Sequence, residues 1–438
     1  MSSRKRPKRP SRRSGGADLL FLNAEQVITC SGAPSARRGS EMKDLDVLRD
    51  AAVVTRGELI IEVGPRRELQ RRHAQATHVD CAGGVLMPAL VDSHTHAVFG
   101  APRFAEHELR AAGVDYMEIA RQGGGIHSSV RDVRARGEKE LLELAKARLR
   151  RLASFGVGTI EVKSGYGLTL DDELKLLRVI KRLSAELPIR LVPTFLGAHE
   201  IPLEYRDSST RRREYVDLVI HEMIPEVARA GLAVFADVFC ETGVYTVSES
   251  REILLAARSA GLKLKLHADE LTSSGGAELA AEIGATSADH LAAISDSGIT
   301  ALRAAGTVAT LLPATMLFLG KPSQAPARRM LDAALPLALA TDFNPGTSPT
   351  VSLPLVLTFG VSQLRLSAAE CMIAATVNGA AALGLADRVG QLAPGYSADL
   401  ALFDIKDYRE LPYWLGARTC RGLWTRGKAC HIHNLDVT

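Results

Sequence analysis

The sequence predicts a (β/α)8 barrel joined to a small composite β-sandwich domain that is formed by the N- and C-terminal segments. Three observations lead to this fold. Eight short apolar runs alternate with helical stretches in the middle of the chain, β-rich segments stand on both sides of them, and 438 residues exceed what one core usually fills. Strands that alternate with helices indicate a parallel sheet, and eight such units close a barrel.

The small domain is predicted to consist of residues 17–84 and 387–438. Apolar runs between glycine turns predict short N-terminal strands at 18–22, 27–30, 52–55 and 58–63. A matching β-rich pattern returns near the C-terminus, at 395–404, 421–425 and 428–432. Two β segments that flank a long α/β region favour one sheet domain built from both termini.

The barrel is predicted to span residues 85–386 and to begin with the apolar run 85–91. The other seven runs are 159–163, 190–196, 234–239, 263–266, 287–288, 308–312 and 337–340. Apolar residues spaced three and four apart predict helices at 138–154, 171–186, 249–260 and 276–283. In this fold the active groups lie at the carboxyl ends of the strands, so the residues after each run are the candidates.

A basic leader determines the sign of the net charge, which is +4. Seven of the 54 basic residues fall within residues 1–13, and without them 47 basic residues face 50 acidic ones. The leader 1–16 is predicted to be disordered, and the body does not carry the charge of a nucleic-acid binder. No apolar run is long enough for a signal peptide or a membrane span, and six scattered cysteines without a CxxC pair indicate the cytoplasm.

Histidines and one aspartate follow the predicted strands in a pattern typical of a metal site. His94 and His96 lie on one face of an extended segment with their Cβ atoms about 6–7 Å apart, which lets both rings reach one ion. His267 and Asp342 follow the fifth and eighth runs. Three imidazoles and a carboxylate suit zinc or iron, and a water bound there would have a pKa of about 7. Each histidine taken alone would more often be a hydrogen-bonded core residue.

Three further residues near strand ends are candidates for catalysis. Glu270, three residues after His267, could take a proton from a bound water and deliver it to a leaving nitrogen. His199 and His290 could polarise a carbonyl oxygen or stabilise an oxyanion. Asp342 is a second candidate for proton transfer.

Six segments of the sequence resemble imidazolonepropionases, which are amidohydrolase-superfamily enzymes of histidine degradation. The segments are 88–96, 161–167, 194–199, 237–241, 266–270 and 340–348. The histidines and the aspartate belong to the whole superfamily. The Lys-Ser-Gly-Tyr-Gly segment at 163–167, the Asp-Phe-Asn-Pro-Gly-Thr-Ser segment at 342–348 and Phe99-Gly100 leading to Arg103 are narrower signals. The resemblance extends from about residue 18 to the C-terminus.

The resemblance implies hydrolysis of 4-imidazolone-5-propanoate to N-formimidoyl-L-glutamate, with one zinc or iron ion, divalent or trivalent, in each subunit of a homodimer. It places the metal on His94, His96, His267 and Asp342. It places the substrate on Arg103, Tyr166, His199, Glu270, Asn344, Gly346 and Thr347. Catalysis is expected from Glu270, His290 and Asp342. Relatives carry Glu or Gln at the position of Glu270, which weakens its assignment as the sole proton shuttle.

The chemistry of the residues agrees with a small anionic substrate and with no nucleic-acid or membrane partner. The guanidinium of Arg103 can hold a carboxylate through two hydrogen bonds, and Tyr166 can present its hydroxyl from a Gly-Tyr-Gly turn. A deaminase of nitrogen heterocycles such as cytosine or guanine shares the same metal set and stays an alternative. A structural barrel without activity is the other alternative, and the presence of the complete ligand set argues against it.

Overall fold

The computed structural model describes residues 18–114, 118–119 and 123–430. The leader 1–16, which is predicted to be disordered, lies outside these residues, as do positions 431–432 of the last predicted strand. The described chain contains an eight-stranded parallel sheet and two smaller sheets. The predicted barrel with additional β structure from both chain ends is thereby confirmed.

The N-terminal region contributes seven strands to the two smaller sheets. They are β1 (Leu19–Leu22), β2 (Gln26–Ile28), β3 (Val47–Leu48), β4 (Ala51–Arg56), β5 (Leu59–Pro65), β6 (Thr77–Asp80) and β7 (Val85–Pro88). A helix, α1 (Arg66–Arg72), and a 3-10 turn at Gly39–Lys43 lie between them. One sheet has the order β5-β4-β1-β6, whereas β2, β3 and β7 join the other. β3 and β6 escaped prediction because they are short and largely exposed, without an alternating apolar pattern.

The prediction of 85–91 as a single barrel strand is wrong. Val85–Pro88 pairs with β2 and with a C-terminal strand of the smaller sheet, and only β8 (Leu90–Asp92) enters the barrel. The N–H of Ala89 donates to the carbonyl of Asp399, while Leu90 already pairs with barrel strand residues. Every residue of Val85–Pro88 and of Leu90–Asp92 is buried. The apolar run therefore gives no sign that the chain passes from one sheet to the other.

Eight parallel strands form the barrel and follow one another around it in chain order. After β8 they are β9 (Val157–Lys163), β10 (Arg190–Ala198), β11 (Phe235–Cys240), β12 (Lys263–Ala268), β13 (Ser287–His290), β14 (Val308–Leu311) and β15 (Leu337–Leu339). The first and last strands meet just beyond their ends, where Thr95 forms a parallel bridge with Phe343. There the N–H of His96 donates to the carbonyl of Phe343 at 2.8 Å, and that of Asp342 donates to the carbonyl of His94 at 3.0 Å. Closure of the barrel therefore brings the two histidines beside Asp342.

Helices connect and cover the barrel strands. They are α2 (Phe104–Ala111), α3 (Ile126–Ala135), α4 (Glu138–Ser154), α5 (Leu170–Glu186), α6 (Ser209–Leu218), α7 (Ile224–Arg229), α8 (Val247–Ser259), α9 (Gly276–Glu282), α10 (Asp296–Ala305), α11 (Pro313–Phe318), α12 (Ala327–Asp332), α13 (Leu353–Ser362), α14 (Ala368–Ala374) and α15 (Val377–Ala382), with short turns at Leu203–Tyr205 and Val219–Met223. The four predicted helices correspond to α4, α5, α8 and α9, with ends that differ by two residues at most. Among the described residues, no helix has both the length and the apolar character that a membrane span requires.

The C-terminal strands complete the composite domain. They are β16 (Leu400–Phe403), β17 (Cys420–Thr425) and β18 (Lys428–Cys430), with a 3-10 turn at Tyr408–Glu410. The resulting sheet has the order β18-β17-β16-β7-β2-β3. Phe21 and Val53 of the four-stranded sheet share one apolar core with Leu86 and Leu400 of the six-stranded sheet. The two sheets thus form a sandwich from both chain ends, while the domain boundaries after residues 16, 84 and 386 stay a prediction.

Candidate active site

The four predicted metal ligands meet at the carboxyl ends of the barrel strands. His94 and His96 follow β8, His267 lies in β12, Asp342 follows β15, and all four are buried. The Nε2 atom of His96 lies 3.3 Å from that of His94 and 3.4 Å from that of His267. The Oδ1 atom of Asp342 lies 3.5 Å from Nε2 of His94 and 3.6 Å from Nε2 of His96. Residues from three strands therefore turn one atom each toward a common point.

The separations among His94, His96 and Asp342, and the separation between His96 and His267, suit ligands of one divalent cation. Metal–ligand distances of about 2.0–2.2 Å place the corners of a tetrahedron roughly 3.3–3.6 Å apart. The ligand atoms of His94, His96 and Asp342 lie within 4.8 Å of one another, and so do those of His94, His267 and His290. Nitrogen and carboxylate donors together suit a borderline metal such as zinc or iron.

Two buried aspartates orient the histidines. Oδ2 of Asp289 lies 2.6 Å from Nδ1 of His94, and Oδ2 of Asp237 lies 3.0 Å from Nδ1 of His267 at a less favourable angle. Asp237 also accepts the backbone N–H of His267 through Oδ1 at 3.1 Å. A carboxylate at Nδ1 keeps a hydrogen there and leaves the Nε2 lone pair for a cation. The sequence did not predict these roles, although a charged residue inside an apolar strand was a visible signal for both.

The aspartates belong to a cluster of five charged side chains that have no exposed surface. The Nζ atom of Lys163 lies 2.7 Å from Oδ2 of Asp237 and 2.9 Å from Oε1 of Glu161. Lys265 Nζ lies 3.2 Å from Oε1 of Glu161 and 3.5 Å from Oδ2 of Asp289. Burial alone would lower the pKa of Lys163, but the neighbouring carboxylates raise it above its ordinary value. Two ammonium groups against three carboxylates leave an excess negative charge, which favours a cation nearby.

Glu270 and His290 stand beside the ligands. Oε2 of Glu270 lies 3.5 Å from Nδ1 of His290, and both side chains face the cavity that His267 and Asp342 also line. Burial, followed by the negative charges of Asp342 and Glu241, raises the pKa of Glu270 well above its ordinary value. A carboxyl group in such surroundings can hold a proton at neutral pH and donate it. His290 has a backbone φ of 78°, a left-handed conformation that is uncommon for residues with side chains.

The two oxygens of Asp342 face different partners. Oδ1 faces the histidine nitrogens, whereas Oδ2 accepts the hydroxyl of Thr315 at 2.7 Å. Burial raises the pKa of Asp342 to about 6. The Thr315 hydroxyl takes one acceptor position of Oδ2, while Oδ1 faces the histidines as a ligand would. The role of Asp342 in proton transfer stays a prediction.

A cavity of about 560 Å³ opens above the ligand set. Most predicted site residues line it, namely His96, Arg103, Tyr166, His199, His267, Glu270, His290, Asp342, Asn344 and Thr347. His94 and Gly346 do not reach its wall; His94 has no exposed surface, and Gly346 packs against Arg103. His127, which was not predicted, also lines the cavity, and burial followed by the charges of nearby arginines lowers its pKa to about 4.

Arg103 presents a buried guanidinium group to this cavity. Its side chain is 5% exposed, and among the described residues its Nε and Nη1 atoms have no hydrogen-bond partner. The nearest carboxylate oxygen, Oε2 of Glu106, lies 3.6 Å from Nε, beyond hydrogen-bond distance. A Cβ atom at Gly346 would lie 1.6 Å from Nη2, so only glycine leaves room for this side chain. Buried N–H groups of a cation without partners indicate a site for an anion.

Tyr166 and His199 form one side of the cavity. Their ring centroids lie 5.3 Å apart, and the ring of His199 stacks on that of His96 at 5.0 Å. Nδ1 of His199 lies 2.9 Å from the carbonyl oxygen of Gly165, which can only accept, so Nδ1 carries a hydrogen. Burial lowers the pKa of His199 to about 3, which makes the ring neutral and its Nε2 a hydrogen-bond acceptor. This tautomer suits a ring N–H of a substrate better than the oxyanion considered from the sequence.

Asn344 holds the loop that follows the last barrel strand. Its Nδ2 donates to the carbonyl of Asp342 at 2.7 Å and lies 2.8 Å from Oγ1 of Thr347. Its Oδ1 accepts the N–H groups of Gly346 and Thr347 at 2.9 and 2.7 Å. The predicted contact between Asn344 and substrate would therefore compete with bonds that shape the loop.

Comparisons with known proteins found relatives that match nearly the whole chain. Residues 117–429 match the Amidohydrolase family. An imidazolonepropionase of Solibacter usitatus is 45% identical over 95% of this chain and 99% of its own length, and one of Geobacillus kaustophilus is 45% identical over 94% and 97%. A crystal structure of an adenosine deaminase from Xanthomonas campestris with bound zinc superposes with a TM-score of 0.70 at 19% identity, covering 94% of this chain and 92% of its own. That structure shares the fold.

Proposed function

The chain belongs to the imidazolonepropionase family of amidohydrolases, and on that premise we propose that it hydrolyses 4-imidazolone-5-propanoate to N-formimidoyl-L-glutamate. The observation that carries this proposal is the buried guanidinium of Arg103, whose Nε and Nη1 atoms have no hydrogen-bond partner among the described residues and which lines the same cavity as the metal-ligand set. A substrate with a carboxylate at one end and a cyclic amide at the other would place the two groups at these two positions.

His94, His96, His267 and Asp342 would hold one zinc or iron ion, because their donor atoms suit both metals. When bound, the metal supplies Lewis acidity and lowers the pKa of water. Asp289 and Asp237 support this role, since each places a carboxylate at Nδ1 of a ligand histidine. The buried cluster with excess negative charge favours a cation in the same place.

The substrate would be held at several points of the cavity wall. Arg103 would bind the propanoate carboxylate through its Nε and Nη1 hydrogens, while Gly346 leaves the space that the guanidinium needs. Tyr166 would contact the ring with its hydroxyl, and Nε2 of His199 would accept a ring N–H. Thr347 lines the cavity, and Asn344 would position it through the hydrogen bond between their side chains.

Glu270 would move the proton during ring opening. A water oxygen attacks the ring carbonyl carbon, Glu270 accepts the proton that the water loses, and the same carboxyl group returns it to the departing ring nitrogen. A cation at the ligand set would offset the raised pKa of Glu270 and let it act as a base. His290, whose Nδ1 faces Oε2 of Glu270, would stabilise the negative charge on the carbonyl oxygen.

The decisive experiment is incubation of purified, metal-analysed protein with freshly made imidazolone propanoate. Release of N-formimidoyl-L-glutamate without ammonia is expected. Release of ammonia from a nitrogen heterocycle, without ring opening of imidazolone propanoate, would instead establish the deaminase alternative. Titration with zinc and with ferrous iron, with activity measured at each ratio, would assign the metal.

We also propose a cytoplasmic homodimer. The cytoplasmic location is supported by the six cysteines, all of which are buried and free of disulfides. The dimer is what the resemblance to imidazolonepropionases implies. Light scattering coupled to size exclusion would test the dimer, and a mass of one chain would refute it.

A further inference from the structure

Glu173 is a fully buried carboxylate that the proposed reaction does not use. It lies in the first turn of α5 and has no exposed surface. Its Oε2 accepts the N–H of Gly165 at 3.0 Å, and its Oε1 accepts the N–H groups of Gly167 and Leu168 at 2.8 and 2.9 Å. The hydroxyl of Ser164 also bonds to it. One side chain therefore accepts three backbone N–H groups of loop 164–168.

The same loop determines where two cavity side chains lie. Tyr166 is its central residue and lines the cavity, as does His199. The carbonyl of Gly165 accepts the Nδ1 hydrogen of His199 at 2.9 Å, which fixes the orientation of that ring. A change in the loop backbone would therefore displace both side chains.

The loop has a conformation that its own sequence does not favour. Gly165 and Leu168 have φ angles of 104° and 53°, and the second is unfavourable for a residue with a side chain. Gly167 approaches α5 so closely that a Cβ atom would lie 2.6 Å from the backbone nitrogen of Glu173. Without the carboxylate, three N–H groups that converge on it would lose their partner, and buried N–H groups are rarely left unpaired. The loop would have to rearrange.

We propose that Glu173 is a positioning residue for the substrate: its carboxylate fixes loop 164–168 and, through it, holds Tyr166 and His199 against the substrate ring. This inference rests on the proposed function, which assigns those two side chains to the substrate. Glu173 touches neither the substrate nor the metal ligands, so its removal should affect substrate binding more than metal binding.

The test is Glu173→Gln, which keeps the size of the side chain but replaces one acceptor oxygen with an NH2 donor that opposes the backbone N–H groups. The KM for imidazolone propanoate is expected to rise about tenfold or more, with a smaller change in kcat, since displaced hydrogen bonds to substrate are each worth about that factor. Metal content should stay at the wild-type value. Glu370→Gln is the matched control, because Glu370 is equally buried in the first turn of α14 but bonds Arg328 and the N–H of Ser367. Its KM should not change.

A second measurement separates positioning from a general effect on stability. In a Tyr166→Phe, His199→Gln background, Glu173→Gln should raise KM far less than in the wild type, because the side chains through which it acts are already altered. A wild-type KM in Glu173→Gln, or an equal rise in both backgrounds, would overturn the inference.

If Glu173→Gln does not fold, Gly167→Ala serves instead, since the added Cβ pushes the loop away from the helix, and the same rise in KM is expected. An unchanged KM in that variant would overturn the inference as well.

A wild type that forms no formimidoylglutamate would refute the proposed function together with this inference. Normal wild-type turnover with unchanged KM in the variants refutes the inference alone.

Discussion

Replacement of Arg103 by methionine should selectively weaken binding of the substrate carboxylate. The guanidinium is buried, and its Nε and Nη1 hydrogens have no partner among the described residues. Removal of one member of a buried, hydrogen-bonded charge pair costs about 2–5 kcal/mol. Glu106, whose Oε2 lies 3.6 Å from Nε, partly neutralises the guanidinium, which favours the lower part of that range. At about 1.4 kcal/mol for each factor of ten, a cost of about 2–3 kcal/mol lowers kcat/KM roughly 30- to 150-fold.

The assay compares two substrates in two proteins. Imidazolone propanoate and its neutral carboxamide analogue are turned over by the wild type and by Arg103→Met, with metal content measured in each sample. The wild type should prefer the carboxylate by about the factor given above, and the variant should treat both substrates alike. Arg178→Met is the control, because Arg178 is half exposed on α5 and pairs with Glu138 at the surface. A variant that still prefers the carboxylate, with normal metal content, would refute the assignment of Arg103.

Three further predictions concern the ligand set, the proton shuttle and the cavity wall. Glu270→Gln should lower kcat by about 10²–10⁴ at unchanged metal content, since an amide cannot carry the proton; an unaltered kcat would exclude the shuttle. Asp289→Asn should weaken metal binding by about 10–100-fold in chelator competition, because the carboxylate 2.6 Å from Nδ1 of His94 is lost; equal affinity would contradict its orienting role. The fold lowers the pKa of His127 from 6.5 to about 4. The unfolded chain therefore binds this proton at a higher pH than the folded chain, and stability falls as the pH drops from about 6.5 to about 4. His127→Gln should therefore lose less stability than the wild type between pH 7 and 5 in urea unfolding, with the exposed His221→Gln as control; equal losses would contradict the prediction.

The sequence was sufficient to predict the site residues that lie at the ends of barrel strands. His94, His96, His267 and Asp342 follow apolar runs, and in a parallel barrel the carboxyl ends of all strands lie on the same side. Their convergence could therefore be predicted without coordinates. The division of the run 85–91 between two sheets could not be predicted, because its residues are buried in either sheet. Only the pairing of each half with its neighbouring strand distinguishes the two strands.

The residues that orient the ligands and the loops were harder to predict, because their roles depend on contacts with residues that are distant in the sequence. Asp289 is one of many aspartates in the sequence, and only its distance to His94 reveals that it orients a ligand. Glu173 follows the ordinary preference for acidic residues in the first turn of a helix. Asn344 matched a family segment that predicted a substrate contact, whereas its amide is engaged by its own loop. Local sequence patterns predict which functional groups are present near the strand ends. Contacts between distant residues determine which of those groups are free to bind a metal or a substrate.

Closure of the barrel and assembly of the ligand set depend on the same contacts. Asp92, at the end of β8, accepts the N–H of Thr341 at 3.0 Å and its hydroxyl at 2.6 Å, which ties the first strand to the last. Lys265 of β12 donates to the carbonyl of Ser93 at 2.8 Å, which ties the same segment to the strand of His267. The backbone after β8, which carries His94 and His96, is thus held from both sides by the segments that carry His267 and Asp342. These hydrogen bonds join the three chain segments that carry the ligands, so the contacts that close the barrel also bring the four side chains together.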